Sequence, residues 1–232
     1  MKKSRFAGRV VFLVACLLAP ALCGCVDYEE RLELNPDGKT GLLKMHLAVD
    51  ERFVAVNWPN PTSNAIESIF PTTLAALKKE LDCPAVELID ARASFTPPMR
   101  HLYLVCRIKD AGKLNDSPVL AHRKFVFRPD NPTAWTFQQQ MEVAGTSILG
   151  SSPEQTAKAL GNLEAIYGPE VIPTMLSKYR LTLSVTMNGD FVARSPEGRV
   201  YHGNTVIWQK SLAQLLDSKE PWKMEARFAK EK

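Results

Sequence analysis

A short apolar run near the N-terminus decides which part of this 232-residue chain is available to fold. The run, residues 10–22, follows a start with four basic and no acidic residues, Lys2, Lys3, Arg5 and Arg9. It is shorter than the about 20 apolar residues that a helix needs to cross a bilayer, and Pro20 disfavours a continuous helix. This order is typical of a secretory signal peptide, so we expect residues 1–24 to be cleaved off.

The tetrapeptide Leu22-Cys23-Gly24-Cys25 follows the apolar run directly. It resembles the lipobox of bacterial lipoprotein precursors, in which an aliphatic residue and two small residues precede the cysteine that receives a diacylglycerol. Cys23 stands where a smaller residue is more usual. The resemblance implies cleavage before Cys25, a lipid on its sulfur and acyl chains such as palmitate, which would make Cys25 a membrane anchor rather than a nucleophile. The alternative is a plain secretory signal cleaved nearby.

The residues after Cys25 bear on which membrane holds the protein. In didermal bacteria, an aspartate directly after the lipidated cysteine favours retention in the inner membrane. Here Val26 takes that position and Asp27 comes one place later. We therefore expect a protein of the cell envelope that is lipid-anchored on the periplasmic side of the outer membrane.

Loss of the leader changes the charge balance of the chain. Residues 25–232 carry 25 Lys plus Arg against 25 Asp plus Glu, because the leader holds four of the 29 basic residues. A net charge of zero removes the electrostatic attraction that drives nucleic-acid binding, so we expect no nucleic-acid partner. The length of this segment suits a single domain with an adequate core.

Two cysteines, Cys83 and Cys106, remain once the leader and the anchor are set aside. An oxidising compartment permits a disulfide between them. A hairpin that turns near residues 96–98 would instead place Cys106 opposite Ile89, about 20 Å along the strand from Cys83. Only a reversal of the chain at Pro84 would bring the two sulfurs within bonding distance. A disulfide and two buried free thiols are therefore alternatives.

Alternation of apolar and polar residues predicts strands along most of the remaining chain. Residues 28–34 and 42–49 flank a turn sequence at residues 35–38 and form a predicted hairpin. Further strands are predicted at residues 85–95, 101–109, 125–127, 135–143, 179–187, 200–209 and 222–229.

Apolar residues at spacings of three and four predict helices at residues 63–81 and 153–167, the second with Leu163 and Ile166 facing inward. A short helical turn is predicted at residues 211–216. Together these elements predict one α+β domain, with a large antiparallel sheet and two or three helices packed on one face.

The sequence contains no recognisable catalytic or metal-binding pattern. Its four histidines are isolated and fit no metal-ligand spacing: His46, His101, His122 and His202. Residues 145–149 lack the second glycine of the G-x-S-x-G hydrolase turn, and Ser151 stands where a phosphate loop has its lysine. We therefore expect a protein that is not an enzyme and holds no metal or other cofactor. A hydrolase would require histidines and carboxylates to converge in one cleft.

A run of three glutamines interrupts an otherwise apolar strand. If Trp135 and Phe137 face the interior, Gln139 points inward with them and needs a hydrogen-bond partner. Two explanations are open: a wet sheet edge, or a cavity in which one polar group orients a ligand. Trp135, Phe137 and Gln139 are therefore the candidate ligand-binding residues.

Two further stretches are similar to one known family. They are residues 28–49, which include the turn at 35–41, and residues 187–193 together with 203–208. Both resemble the envelope lipoproteins that carry an LppM-like domain, in which a strand, a glycine turn, a second strand and a Thr-Val-x-Trp stretch close the sheet. The resemblance implies an α+β domain tethered to the envelope, a lipid-binding role in some relatives and no established catalysis.

Our leading hypothesis is a membrane-anchored, non-catalytic bacterial lipoprotein that binds a lipid-like ligand in the cell envelope. The second is an accessory subunit that docks on an envelope protein complex, and an envelope hydrolase is the third. A carrier should show an apolar cavity, whereas a docking subunit should show a filled core and an exposed apolar patch.

Overall fold

A computed structural model describes residues 26–50, 74–116, 123–141, 153–218 and 220–230. Several predictions fall outside these residues and are not addressed by the structure. They concern the leader with Cys25, residues 63–73 of the first helix, His122, and the loop at 145–152.

The described residues form two sheets. The first has seven strands in the order β3-β4-β2-β1-β7-β10-β9, and the second has four in the order β5-β6-β11-β8. The strands are β1 (Val26–Leu34), β2 (Gly41–Asp50), β3 (Val86–Thr96), β4 (Met99–Ile108), β5 (Arg123–Asn131), β6 (Ala134–Met141), β7 (Arg180–Met187), β8 (Phe191–Arg194), β9 (Arg199–Tyr201), β10 (Thr205–Ser211) and β11 (Trp222–Lys230).

Strands β1 and β2 form the predicted hairpin, with Leu34 opposite Gly41. Its turn is held by the Asp37 carboxylate, whose Oδ1 accepts hydrogen bonds from the backbone N–H groups of Lys39 at 2.8 Å and Thr40 at 3.0 Å. Those bonds also hold the pKa of Asp37 below its usual value, outweighing the opposite effect of its partial burial. The turn chemistry expected from the sequence is therefore present.

The α+β class is confirmed, and the sheets differ from one uniformly antiparallel sheet in two respects. Strand β1 pairs with β7 in parallel, from Tyr28 opposite Leu181 to Leu34 opposite Met187. Four strands also separate into the second sheet. Parallel neighbours need a crossover connection, and here the whole chain between β1 and β7 provides it.

Within the described ranges, four α-helices accompany the sheets: α1 (Leu74–Leu81), α2 (Pro153–Tyr167), α3 (Ile172–Lys178) and α4 (Leu212–Asp217). Helix α2 has the predicted bounds, but Ile166 is 55% exposed while Leu163 is buried. Helix α4 begins at Ser211, whose side chain and that of Gln214 form a reciprocal capping box. None of the helices in the described ranges is long and apolar enough to cross a bilayer.

One face of the seven-stranded sheet is buried. Along β7 and the first part of β2, buried residues alternate with half-buried ones. The second sheet lies against this face where the Phe137 ring packs on the Trp208 ring, with centroids 5.9 Å apart. Helix α1 lies along β3, and α3 and α4 pack on each other and on β10. The core therefore lies between the two sheets and under these helices.

The predicted strand at residues 200–209 is two strands joined by a tight turn. His202 has φ 48° and Gly203 has φ 77°, and these left-handed conformations reverse the chain between β9 and β10. Residues 111–116 also form a 3-10 helix that apolar spacing did not predict, since only Ala111 and Leu114 in it are buried.

Gly38 permits a close contact between the two sheets, and this contact is testable. A methyl group at Gly38, which has φ +63°, would lie 2.6 Å from carbon atoms of the Trp135 indole. We expect Gly38→Ala to lower the free energy of unfolding by about 1–2 kcal/mol for the backbone and a further 1–3 kcal/mol for the clash. Urea denaturation measures both losses together.

Gly203 provides the matched control. It also has a positive φ, +77°, but no atom of the described chain lies within 4 Å of an added methyl group. Gly203→Ala should therefore show the backbone loss alone. Equal losses in the two variants would contradict the proposed Trp135 contact.

Candidate functional site

The three candidate ligand-binding residues share the inward face of β6, but they have different surroundings. Phe137 is fully buried against Trp208. The Trp135 ring stacks on the Phe127 ring with centroids 5.0 Å apart and also covers Gly38. Trp135 therefore closes the interface between the sheets, and this packing accounts for its position without a ligand.

Gln139 is buried at 4% exposure, on a strand that is hydrogen-bonded to β5 on one side and β11 on the other. The wet-edge explanation is therefore wrong, because β6 is not an edge strand. Within the described part of the chain, Gln139 Nε2 has no hydrogen-bond partner. A buried donor left unpaired costs about 1–3 kcal/mol, so its presence calls for an explanation.

The indole of Trp208 carries a second such donor. Trp208 is 3% exposed, and its Nε1–H also lacks a hydrogen-bond partner among the described residues. Phe137 links the two groups, because it lies two residues from Gln139 on the same face of β6 and packs on the Trp208 ring. The core thus contains two unsatisfied N–H donors around one phenyl ring.

A cleft of about 570 Å³ opens at Trp208, between β9, β10 and the start of β11. Its volume lies within the range of small-molecule sites. It is lined by Glu197, Arg199, Tyr201, Ile207, Trp208, Gln209, Lys210 and Trp222. Two indoles and a phenol supply apolar surface, while two cations and one carboxylate supply charge. No local sequence pattern indicates this cleft, because it depends on the packing of residues that are distant in sequence.

Strand pairing places Gln139 close to this cleft. Trp222 pairs with Met141 across β11 and β6, and Met224 pairs with Gln139. Gln139 therefore lies on the strand next to β11, opposite a residue two positions along β11 from Trp222. Trp222 itself lines the cleft. Lys210 Nζ lies 5.4 Å from the Trp222 ring centroid, so a cation stands at the opening.

A second cluster lies on the opposite, polar face of the seven-stranded sheet, and sequence analysis missed it. His46 Nε2 and His101 Nδ1 are 3.1 Å apart, and the Tyr103 ring stacks on His46 with centroids 4.2 Å apart. His46 pairs with Tyr103 across β2 and β4, which places His101 diagonally beside it. The pairing of strands more than 50 residues apart brings them together, and no local pattern reveals it.

Burial lowers the pKa of His46, and the charge of neighbouring His101 lowers it further, while the carboxylates of Glu29 and Asp27 act in the opposite direction. Of the three histidines that the structure describes, His46 and His101 come together, whereas His202 lies in the β9–β10 turn. Among the described residues, no three His, Cys, Asp or Glu side chains are placed to hold a metal ion.

The structure has Cys83 and Cys106 as free thiols, of which Cys106 is buried and Cys83 is only half-buried. The chain does reverse at Pro84, where Cys83 and Val86 exchange two backbone hydrogen bonds. A bulge on β3 places Leu88, rather than Ile89, opposite Cys106. Burial, together with the charges of Asp82 and Cys83, raises the pKa of Cys106 to about 12, so this thiol stays protonated and unreactive.

Comparison with known proteins gives a distant likeness among solved structures. No protein-family model matches the chain, and no curated protein matches it. Among solved structures, the NMR structure of the folded domain of LppM from Mycobacterium tuberculosis is similar, with a TM-score of 0.44 and 9% sequence identity over 90% of this chain and 91% of that one. The function proposed below therefore rests on the residues of this chain.

The His46 pair generates a prediction about acid stability. Because the pKa of His46 is lowered by folding, the unfolded chain binds its proton more readily, and stability falls as the pH drops below about 6.5. We expect urea denaturation between pH 8 and pH 5 to show a smaller loss in His46→Gln than in the unsubstituted protein. Parallel pH profiles for the two proteins would contradict this assignment.

Proposed function

We propose that the protein is a non-catalytic bacterial lipoprotein, anchored through Cys25 on the periplasmic side of the outer membrane, whose folded domain binds a lipid-like ligand. The observation that carries the binding role is the pair of unsatisfied buried donors, Gln139 Nε2 and Trp208 Nε1, beside an aromatic cleft. The lipobox-like segment at residues 22–25 supports the anchor.

The chemistry of the cleft selects an amphiphile. Trp208 and Trp222 offer apolar surface to a hydrocarbon chain. A carbonyl or ester oxygen could accept hydrogen bonds from the two buried donors, which would recover the cost of leaving them unpaired. Arg199 and Lys210 are placed to meet an acidic or polar head at the opening.

The arrangement favours binding over catalysis. The histidine pair belongs to β2 and β4, whereas the cleft lies at β10, three or more strands away in the sheet. A hydrolase would need the base and the bound ligand in one cleft. The separation of the two supports a carrier that performs no reaction.

Processing tests the anchor. We expect Cys25→Ser to abolish acylation and to move the protein from the membrane fraction to the soluble periplasmic fraction, because no thioether can form. Intact-mass spectrometry and fractionation measure both changes. An acyl-free wild-type protein that retains residues 1–24 would contradict the anchor.

Replacement of Gln139 tests the ligand. We expect Gln139→Leu to leave the ligand-free protein at least as stable as the unsubstituted one, because it removes an unpaired donor, and to abolish ligand retention in native mass spectrometry of the protein extracted from its own envelope. Gln138→Leu, on the opposite face of the same strand, is the control and should change neither property. A bare acylated protein before substitution would contradict the ligand role.

A second candidate function, docking on an envelope protein complex, is favoured by one observation. Ile166, Tyr167 and Val171 at the junction of α2 and α3 are exposed apolar residues close together in sequence. The same native mass spectra separate the two functions, because a retained protein subunit and a retained small molecule differ in mass.

A further inference from the structure

The predicted anchor joins the fold without a linker. Val26, the first residue of β1, follows Cys25 by one peptide bond, and consecutive Cα atoms are only about 3.8 Å apart. A lipid on Cys25 would therefore hold the start of β1 at the bilayer surface. The edge of the sheet that contains this position would face the membrane, and its other residues can be identified from the strand pairing.

The pairing places the β3–β4 hairpin tip on that same edge. Val26 pairs with Val49, Val49 pairs with Arg100, and Arg100 pairs with Phe95, so the four residues form one row across β1, β2, β4 and β3. At about 4.8 Å between neighbouring strands, Phe95 lies about 14 Å from Val26. The tip, residues 96–99, extends beyond this row.

The composition of the tip suits a bilayer interface. Phe95 is 48% exposed, and the Arg100 guanidinium lies 5.2 Å from its ring centroid. The tip continues with Pro97, Pro98 and Met99. Residues 91–109 contain no aspartate or glutamate, and the acidic residues of β3, Glu87 and Asp90, lie at least five residues along the strand from Phe95. Asp50, which pairs with Met99, is buried.

Resting on the lipid anchor proposed above, we propose that residues 95–100 form a second membrane contact, in which the Phe95 ring enters the headgroup region of the bilayer that holds Cys25. An aromatic ring with a cation beside it suits the headgroup region, because this region is apolar towards the acyl chains and hydrated towards the solvent. Two contacts about 14 Å apart fix how the domain stands on the membrane.

The opposite end of the sheet supplies a control position. Lys39 lies in the β1–β2 turn beyond Leu34, which is eight residues along β1 from Val26. At about 3.3 Å per residue, Leu34 lies about 26 Å from the membrane edge. Lys39 is exposed and lies outside the cleft at Trp208, so an indole at residue 39 and one at residue 95 differ mainly in their distance from the anchor.

The test uses the acylated full-length protein on vesicles of phosphatidylethanolamine and phosphatidylglycerol whose acyl chains carry bromine near the headgroups. Phe95→Trp and Lys39→Trp each add one indole to the same tryptophan background. We expect bromine to quench the added emission of Phe95→Trp and to leave that of Lys39→Trp unchanged. Flotation of each variant with the vesicles is measured first.

Hydrogen exchange provides a second measurement that needs no substitution at the hairpin tip. Hydrogen exchange at residues 95–100 should be slower in the vesicle-bound lipoprotein than in the unacylated Cys25→Ser protein, while residues 35–40, at the far end of β1, should exchange equally in both. Arg100→Gln in the Phe95→Trp background should reduce quenching, because it removes the cation that faces the anionic lipid.

The outcomes separate the two proposals. A protein that fails to float removes the lipid anchor and this contact together. A protein that floats but shows no quenching of Phe95→Trp overturns the hairpin contact and leaves the anchor intact. Equal quenching of Lys39→Trp also overturns it, since the domain would then lie on another face.

Discussion

The pairing of β1 along both of its edges is the interaction on which the rest of the structure depends. β1 is antiparallel to β2 and parallel to β7, so it joins the N-terminal hairpins to the C-terminal strands of the seven-stranded sheet. Glu30, on the buried face of this strand, accepts a hydrogen bond from the Tyr28 hydroxyl at 2.6 Å, which satisfies part of the demand of a buried carboxylate. Because β1 also follows Cys25 directly, the same strand connects the proposed anchor to the core.

Local patterns predicted the elements well because their causes are local. The alternation of residues 179–187, the turn at residues 35–38 and the helical turn at residues 211–216 each depend on neighbours within a few residues, and each is present. The parallel pairing of β1 with β7 joins residues more than 150 positions apart, so no sequence window contains it. The division into two sheets has the same origin, since it depends on which strands β11 pairs with.

The candidate site also contains one feature that local sequence predicts and others that depend on long-range packing. The inward orientation of Gln139 follows from the period of two along β6 and was predicted. The unpaired donor at Trp208 Nε1 was not predicted, because its lack of a partner depends on how the β8–β9 turn and β6 pack around it. The histidine pair was missed because diagonal contacts between β2 and β4 require their register. Trp135 lies on the inner face, as predicted. Its contact with Gly38 shows that it packs between the two sheets, which accounts for its position without a ligand.

Strand pairing also sets the height of the cleft above the proposed membrane edge. Lys210 is level with Leu181 and Tyr28, two residues along β1 from Val26, and Trp208 is level with Leu183 and Glu30, four residues along. At about 3.3 Å per residue, these rows lie about 7 and 13 Å from the edge. If a lipid entered this cleft from the same bilayer, its headgroup would therefore be displaced by only about the thickness of the headgroup region. Its acyl chain could reach Trp208 before its head left the polar surface. The two proposals thus support each other: the hairpin contact would hold the domain upright, and that orientation would place the cleft within reach of lipid from the membrane itself.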